Sequence, residues 1–309
     1  MNESQSAVLA LPTEPGNYIR RWRVIRTTAP YVFVAPFFII FFTFFAYPVV
    51  YSFYISLHKF SGQGPMKWVG WDNYSFALSD NYFTGALENT AFFWMSVPIT
   101  VLLALIIAVI WNRPGMIGRS VLLVMFLLPT VISIVAISVV FRILYDPTAG
   151  PIDTALSWFG LAPVDWLNDD TSARFGLLIL RVWETLGLGI LFIASSLQAI
   201  SQDLYDAAAV DGSGPVRTFV SLTVPLLART ILFLMVWYTL SALSLFAEPF
   251  LVMNQGGPDN ATVTLGLYLF QRDIALDLGT ASAVSFLTTC LMMFMSILLF
   301  LAARRWTRD

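Results

Sequence analysis

The sequence predicts an all-α polytopic membrane protein, and three observations support this prediction. Of its 309 residues, 58% are hydrophobic and 12% are charged, whereas a soluble domain carries roughly 25% charged residues. The mean hydropathy is +0.75. Several uncharged stretches contain the roughly 20 apolar residues that a helix needs to cross the hydrocarbon layer. This composition excludes a soluble enzyme, a disordered protein and a disulfide-stapled secreted domain.

Few side chains are suited to metal binding or covalent chemistry. Cys290 is the single cysteine and His58 the single histidine, so an internal disulfide and a histidine-based metal site are both excluded. The net charge of −2 gives no electrostatic footprint for nucleic acid. We therefore expect no catalytic residue, no metal and no nucleic-acid partner.

Six apolar segments predict six transmembrane helices. The first, second, third and sixth are bounded by neighbouring charges, the fourth contains Arg181 and Glu184, and the fifth holds Glu248 near its end. The predicted spans cover residues 31–57, 90–111, 120–141, 174–197, 230–252 and 280–303.

Residues 1–28 form a leader before the first span. Its first 16 residues are polar and include Pro12 and Pro15, which predicts disorder. The basic run from Arg20 to Arg26 is typical of an anchor at the inner membrane surface. The first span is too long for a signal peptide, so we expect it to be retained within a transmembrane domain of residues 29–309.

The basic residues predict the orientation, because cytoplasmic loops are enriched in Arg and Lys. With six spans both termini share one side, and that side would carry 11 of the 17 basic residues. The opposite loops would carry five, together with several aspartates between the third and fourth spans. Both termini are therefore predicted to be cytoplasmic.

The predicted cytoplasmic loop 198–229 is long and patterned. Ser201 is a candidate helix N-cap, and Gly212 stands where a helix would end in a left-handed residue. Pro225 is expected to bend a second helix over 216–227. From the residues alone, the loop fits either a docking site for another protein or a helix pair that only covers the bundle.

The spacing of this loop resembles the EAA loop of ABC importer permeases. Asp206-Ala207-Ala208 is followed by Asp211-Gly212 and then by Leu222, Val224 and Pro225. Other motifs, in the same order, resemble the sugar-permease branch that includes maltose-type and glycerol-phosphate-type subunits. They are Tyr47-Pro48, the run from Gly70 to Tyr74, Asn89-Thr90, Leu127-Leu128-Pro129, Asp146-Pro147, Gly256-Gly257-Pro258 and Ala281-Ser282-Ala283. One departure is Asp206, which replaces the glutamate usual in the family.

This resemblance implies a type I ABC importer permease fold and a defined set of partners. These are a second homologous permease subunit in a heterodimer, two ATPase subunits that hold ATP and Mg²⁺, an extracytoplasmic solute-binding protein and a sugar. The subunit itself would bind no cofactor, and the sequence contains no GxxxxGK[ST] phosphate loop. The implied location is the cytoplasmic (inner) membrane of a bacterium or archaeon. The implied ATPase-coupling residues are Tyr205, Asp206, Ala207, Ala208, Asp211, Gly212 and Pro225.

The charges inside the fourth span admit two interpretations. Arg181 and Glu184 are three residues apart, so they share a helix face and can pair. They could bind cargo in a translocation cavity, or they could form an ion pair that fixes helix packing. The resemblance implies these cavity positions: Thr130, Ser133, Arg181, Glu184, Thr185, Leu188, Ala242 and Phe246.

A neutral di- or oligosaccharide is the favoured cargo, with glycerol phosphate or a polyol as alternatives. Two other functions remain open at this point. An ion-coupled secondary transporter would usually carry more spans and inverted repeats, and a structural membrane subunit would not require the Arg181 and Glu184 charges. Binding of an ATPase to the loop 198–229 separates these alternatives.

Overall fold

The computed structural model describes residues 15–112, 118–275 and 277–304. The predicted disorder of the leader falls largely outside these residues, as does the chain after residue 304. The chain divides into two compact units, Met1–Tyr54 and Ile55–Asp309.

The first unit is helical throughout its described part. Helix α1 (Pro15–Phe41) continues through a π-helical turn at Phe42–Ala46 into α2 (Tyr47–Ser56), which crosses into the second unit. Residues 28–56 form an apolar helix, in which an 18-residue window has a mean hydropathy of 2.2. Because the helix begins at Pro15, the basic run of the predicted anchor is helical.

In the described part of the second unit, the end of α2 is followed by a short antiparallel hairpin and then by a series of helices. Strand β1 (His58–Lys59) pairs with β2 (Lys67–Trp68), and His58 lies opposite Trp68. The helices that follow are α3 (Asp72–Ser79), α4 (Asn81–Trp94), α5 (Ser96–Trp111), α6 (Arg119–Val131), α7 (Ile134–Leu144), α8 (Pro151–Trp158), α9 (Asp170–Gln198), α10 (Gln202–Val210), α11 (Pro215–Thr218), α12 (Val224–Leu226), α13 (Ala228–Leu243), α14 (Ala247–Leu251), α15 (Leu265–Ile274) and α16 (Leu278–Arg304).

The predicted multi-pass helical fold is confirmed. Within the described residues, five segments are helical, long and apolar enough to cross a membrane. They are Thr28–Ser56, Asn81–Trp111, Asp170–Gln198, Ala228–Leu251 and Leu278–Ala302. The predicted third span corresponds to α6 and α7, which qualify together but are bent by 102°.

The bend in the third segment has a local cause. Ile132 and Ser133 adopt extended backbone conformations, with ψ angles of 140° and 135°, and therefore interrupt the helix. Pro129, which lacks a backbone N–H, lies in the last turn of α6. The prediction of a span over 120–141 did not anticipate this break.

Helix α9 is central because glycines let its neighbours approach closely. A Cβ atom on Gly187 would lie 1.9 Å from the carbonyl oxygen of Phe126 in α6. A Cβ atom on Gly189 would lie 2.9 Å from the Cβ of Ala104 in α5. Small residues at helix interfaces give the close packing that drives helix association in lipid. Residues of α5, α9 and α13 form one buried apolar cluster around this crossing.

Two motif residues, Asn73 in α3 and Asn89 in α4, form hydrogen bonds that connect distant segments of the chain. The buried Asn73 carboxamide donates to the carbonyls of Ser56 and His58, at 2.7 and 2.9 Å. Asn89 in α4 donates to the carbonyls of Asn260 and Val263, both at 2.9 Å. These bonds satisfy backbone carbonyls and hold the irregular segments that contain His58 and Asn260 against α3 and α4.

A charged network joins the start of α4 to α15. Arg272 forms an ion pair with Asp80, which also caps α4 by accepting from the Tyr82 N–H. The Tyr268 hydroxyl donates to Asp80 at 2.8 Å, and the Arg272 guanidinium lies over the Tyr268 ring. Burial raises the pKa of Asp80, but the hydrogen bonds from Tyr82 and Tyr268 and the charge of Arg272 outweigh it, so this pKa lies below its usual value.

Replacing Gly187 by alanine should destabilise the protein strongly, because the new methyl group collides with the α6 backbone. We expect a loss of about 2–4 kcal/mol, as for an overpacked core position. Gly85→Ala in α4 is the matched control, since its Cβ meets open space. Thermal unfolding of both variants in detergent measures the effect, and equal melting temperatures would contradict the close approach.

The Asp80 network predicts a pH dependence of stability. Because the folded pKa of Asp80 lies below its unfolded value of about 3.9, the carboxylate contributes stability above that pH and loses it as the pH falls through the folded pKa. Asp80→Asn should therefore lower the melting temperature at pH 7 and flatten its decline below about pH 4. Parallel pH profiles for the variant and the parent chain would refute this assignment.

Candidate functional site

Two regions collect the predicted site residues. One is the segment from α10 to α12, residues 201–226, called the coupling segment after the ATPase-coupling residues that the resemblance implies. The other is a group of polar side chains around Arg181 in α9, defined here as the Arg181 cluster, which comprises Arg181 and Glu184 of α9, Ser241 of α13 and Glu248 of α14.

The start of α10 matches the sequence prediction. Ser201 is the N-cap, and its side chain accepts a hydrogen bond from the Asp203 N–H at 3.3 Å. Asp203 lies in the first turn, where a negative charge interacts favourably with the helix dipole. Helix α10 therefore begins directly after Ser201, where the serine cap and the Asp203 charge stabilise the start of a helix.

The end of α10 is fixed by Gly212, which has a φ of +74°. The Ser213 N–H donates to the Ala208 carbonyl at 2.9 Å, and the Gly212 N–H donates to the Ala209 carbonyl at 3.1 Å. This pair of bonds is a Schellman motif, which requires a left-handed residue that glycine adopts without strain. The predicted left-handed cap is confirmed.

The coupling segment presents its side chains to the surroundings. All residues of α10 are exposed or half-buried, including Asp206, Ala207 and Ala208. The apolar Val210 and Val216 are 89% and 74% exposed. The Tyr205 hydroxyl lies 3.4 Å from the Thr223 hydroxyl and links the two halves of the segment. An ordered surface that exposes apolar side chains is suited to binding another protein.

The second half of the segment is less regular than predicted. Helix α11 passes through a π-helical turn at Phe219–Thr223 into α12, and Pro225 stands in the first turn of α12. The wide turn just before Pro225 accommodates a residue that has no N–H to donate. A bend of the helix was predicted at Pro225, whereas the departure from α-helical geometry begins at Phe219, six residues before the proline.

The Arg181 cluster contains one guanidinium and two carboxylates. Nη1 of Arg181 lies 3.1 Å from Oε2 of Glu184, which confirms the predicted pair. The same atom lies 2.9 Å from Oε1 of Glu248, and Nη2 donates to the Ser241 hydroxyl. Arg181 and Glu248 are 6% and 5% exposed. The cluster therefore joins α9, α13 and α14 through buried charges.

Hydroxyl groups continue the polar region along α9. The Thr185 hydroxyl donates to the Arg181 carbonyl at 2.8 Å and lies 3.2 Å from the Thr100 hydroxyl in α5. The Tyr238 hydroxyl donates to the Thr185 carbonyl at 2.9 Å. These bonds satisfy polar groups that would otherwise be costly in an apolar interior.

The remaining predicted cavity residues are dispersed. Thr130 and Ser133 are exposed at the bend between α6 and α7, and Leu188 is half-buried on α9. Ala242 is buried in the apolar cluster around α9. Phe246 is half-buried, and its ring lies 4.6 Å from the Phe270 ring, centroid to centroid.

Two residues of the cluster were missed by the sequence analysis. From the sequence, Glu248 is noted only as a charge near the end of the fifth segment, and Ser241 is not considered. A usable signal did exist, because a carboxylate at the end of an apolar segment must find a cation or a donor. Arg181 is the one basic residue in the interior of a predicted span, since Arg174 stands at the first residue of the same span. The Arg181 cluster contains buried charges and hydrogen-bonding groups. In the described part of the chain, no cluster of acids, histidines or cysteines could hold a metal ion.

Comparison with known sequences gives a consistent set of relatives. A family model described as binding-protein-dependent transport system inner membrane component matches residues 75–308. The chain is 33% identical over 281 residues to the trehalose/maltose transport system permease protein MalF of Thermococcus litoralis, covering 90% of this chain and 94% of the relative. It is also 33% identical to the lactose transport system permease protein LacF of Rhizobium radiobacter, covering 89% and 93%.

A solved structure with a similar fold is a chain of a bacterial ABC transporter involved in the import of the acidic polysaccharide alginate. The TM-score is 0.79 at 21% identity, and the match covers 94% of this chain and 100% of that chain. At this identity the similarity concerns the fold.

Proposed function

The chain belongs to the family of binding-protein-dependent transport system inner membrane components, and from this premise we propose that it forms half of the pore of a type I ABC importer for a carbohydrate. It is a multi-pass membrane subunit and a non-catalytic one. The observation that carries the proposal is the coupling segment, because its exposed, capped helix presents the Asp206-Ala207-Ala208 motif to a partner.

The coupling segment would transmit motion from the ATPase. A helix whose start is capped by Ser201 and whose end is fixed at Gly212 moves as a rigid body. The hydroxyl contact between Tyr205 and Thr223 joins this helix to the segment that leads into α13. ATP-driven closure of the partner would thereby bias the membrane helices between two states.

The proposed assembly contains a second, homologous permease subunit and two ATPase subunits, which hold ATP and Mg²⁺. A solute-binding protein on the outer side would deliver the cargo. Six spans with cytoplasmic termini, in a bacterial or archaeal inner membrane, agree with the distribution of basic residues. The coupling residues would be Tyr205, Asp206, Ala207, Ala208, Asp211, Gly212 and Pro225.

A neutral di- or oligosaccharide is the proposed cargo, with glycerol phosphate or a polyol as alternatives. The names of the trehalose/maltose and lactose relatives support a neutral sugar. Arg181 already pairs with two carboxylates, which disfavours its use as the receptor of an anionic cargo. Contacts to cargo would then come from Thr130, Ser133, Thr185, Leu188, Ala242 and Phe246.

Asp206→Lys and Gly212→Pro should each uncouple ATP hydrolysis from transport. The lysine reverses the charge of the docking motif, and proline can neither adopt a φ of +74° nor donate the bond to Ala209. We expect uptake to fall at least about tenfold while the ATPase subunits still bind ATP.

Gly214→Ala is the matched control, because Gly214 has a φ of −69° and its Cβ meets open space. Uptake and ATP hydrolysis are measured together in the reconstituted complex. Normal coupled uptake by both test variants would remove the coupling role from this segment.

A mild-detergent pull-down of the tagged chain from its native membrane tests the function as a whole. Recovery of an ATPase and a second permease subunit, identified by mass, is the expected result. Recovery of the chain alone, or as a homodimer that transports without ATP, would instead indicate a secondary transporter.

A further inference from the structure

The outer end of the fifth apolar segment is broken. Helix α13 ends at Leu243, and the short helix α14 begins after three residues, among which Phe246 has a non-helical φ of −140° and ψ of −52°. The Leu245 carbonyl in this break accepts a hydrogen bond from the Thr264 hydroxyl. A helix as short as α14 is not stable through its own hydrogen bonds. Contacts with other elements must therefore fix its direction.

Glu248 supplies such a contact. It lies in the first turn of α14, and its Oε1 atom is 2.9 Å from Nη1 of Arg181 in α9. Both side chains are more than nine-tenths buried, so water screens their attraction weakly. An ion pair between residues 67 positions apart ties one element to another.

We propose that Arg181 and Glu248 form a positioning pair that holds α14 and the preceding break against α9, and that Arg181 does not contact cargo. The terminal nitrogens of Arg181 are already engaged, Nη1 with two carboxylates and Nη2 with the Ser241 hydroxyl. A guanidinium that binds cargo must present N–H groups to a cavity. In this arrangement the same groups face protein side chains.

Glu184 makes a different kind of contact with the same guanidinium. It lies on α9 three residues after Arg181, and 20% of its side chain is exposed. Its ion pair therefore stays within one helix and joins no second element. Removing either carboxylate leaves the other one beside Arg181. Glu184 thus provides a comparison for Glu248 at the same guanidinium.

The meaning of the pair for transport rests on the proposed function. Ala242 and Phe246 are candidate cavity residues that flank the break, so the direction of α14 would determine how they face the translocation path. A loosened α14 would disturb the path without removing any contact between Arg181 and cargo.

The test measures the exposure of α14 by thiol labelling. Ala247, half-buried at the start of α14, is replaced by cysteine in a Cys290→Ser background, and a water-soluble maleimide is applied to the full chain in its native membrane. Glu248→Leu should raise the labelling rate about tenfold, because loss of the tie increases local opening. Glu184→Leu should change the rate less than about twofold, since the tie remains.

Glu248→Gln keeps a hydrogen-bond acceptor and should give an intermediate rate. It also provides the measurement if Glu248→Leu fails to elute as a single species in size-exclusion chromatography. Unchanged labelling in both Glu248 variants would overturn the proposal. Equal increases in the two leucine variants would overturn it as well, because they would assign the effect to total charge. The labelling requires neither ATPase nor cargo, so a failed pull-down would refute the proposed function and leave this result standing.

Discussion

A guanidinium in the apolar interior is the constraint on which the arrangement of the central helices depends. A charged group at the centre of a membrane helix costs about 2.5–3.5 kcal/mol on insertion scales, so it must be compensated by nearby groups. Arg181 is compensated from three directions, by Glu184 on its own helix, Ser241 at the end of α13 and Glu248 in α14. The glycines of α9 bring α5 and α6 close to the same helix. The ion pairs of Arg181 and the close contacts at Gly187 and Gly189 therefore act on the same helix, and both limit how α9 can be placed.

Local features of the chain could be predicted from the sequence because their causes are local. The apolar helices follow from largely uncharged stretches of sufficient length, and helix α10 follows from Ser201 at one end and Gly212 at the other. The pairing of Arg181 with Glu184 follows from a spacing of three residues on a helix. In each case the residues that determine the feature lie within one turn or one segment.

Features that depend on distant residues could not be predicted in the same way. Glu248 meets Arg181 across 67 positions, and hydropathy does not indicate which buried charge pairs with which. The bend between α6 and α7 depends on extended conformations at Ile132 and Ser133. Isoleucine and serine also occur commonly within helices, so the residue types at these positions do not predict the break. The proline at position 225 causes a helix irregularity, but the resulting π-helical turn lies at Phe219–Thr223, before the proline itself. Tertiary context decides the pairing of Glu248 with Arg181, whereas the other two features arise from local backbone conformations that the residue types do not specify.

The ties made by Asn89 have a consequence for the order in which the protein is made. This side chain bonds carbonyls that lie 171 and 174 positions further along the chain, and the Leu265 N–H donates to the neighbouring Thr90 hydroxyl. These contacts can form only after residues 260–265 have been synthesised. The packing of this end of α4 is therefore completed late in biogenesis.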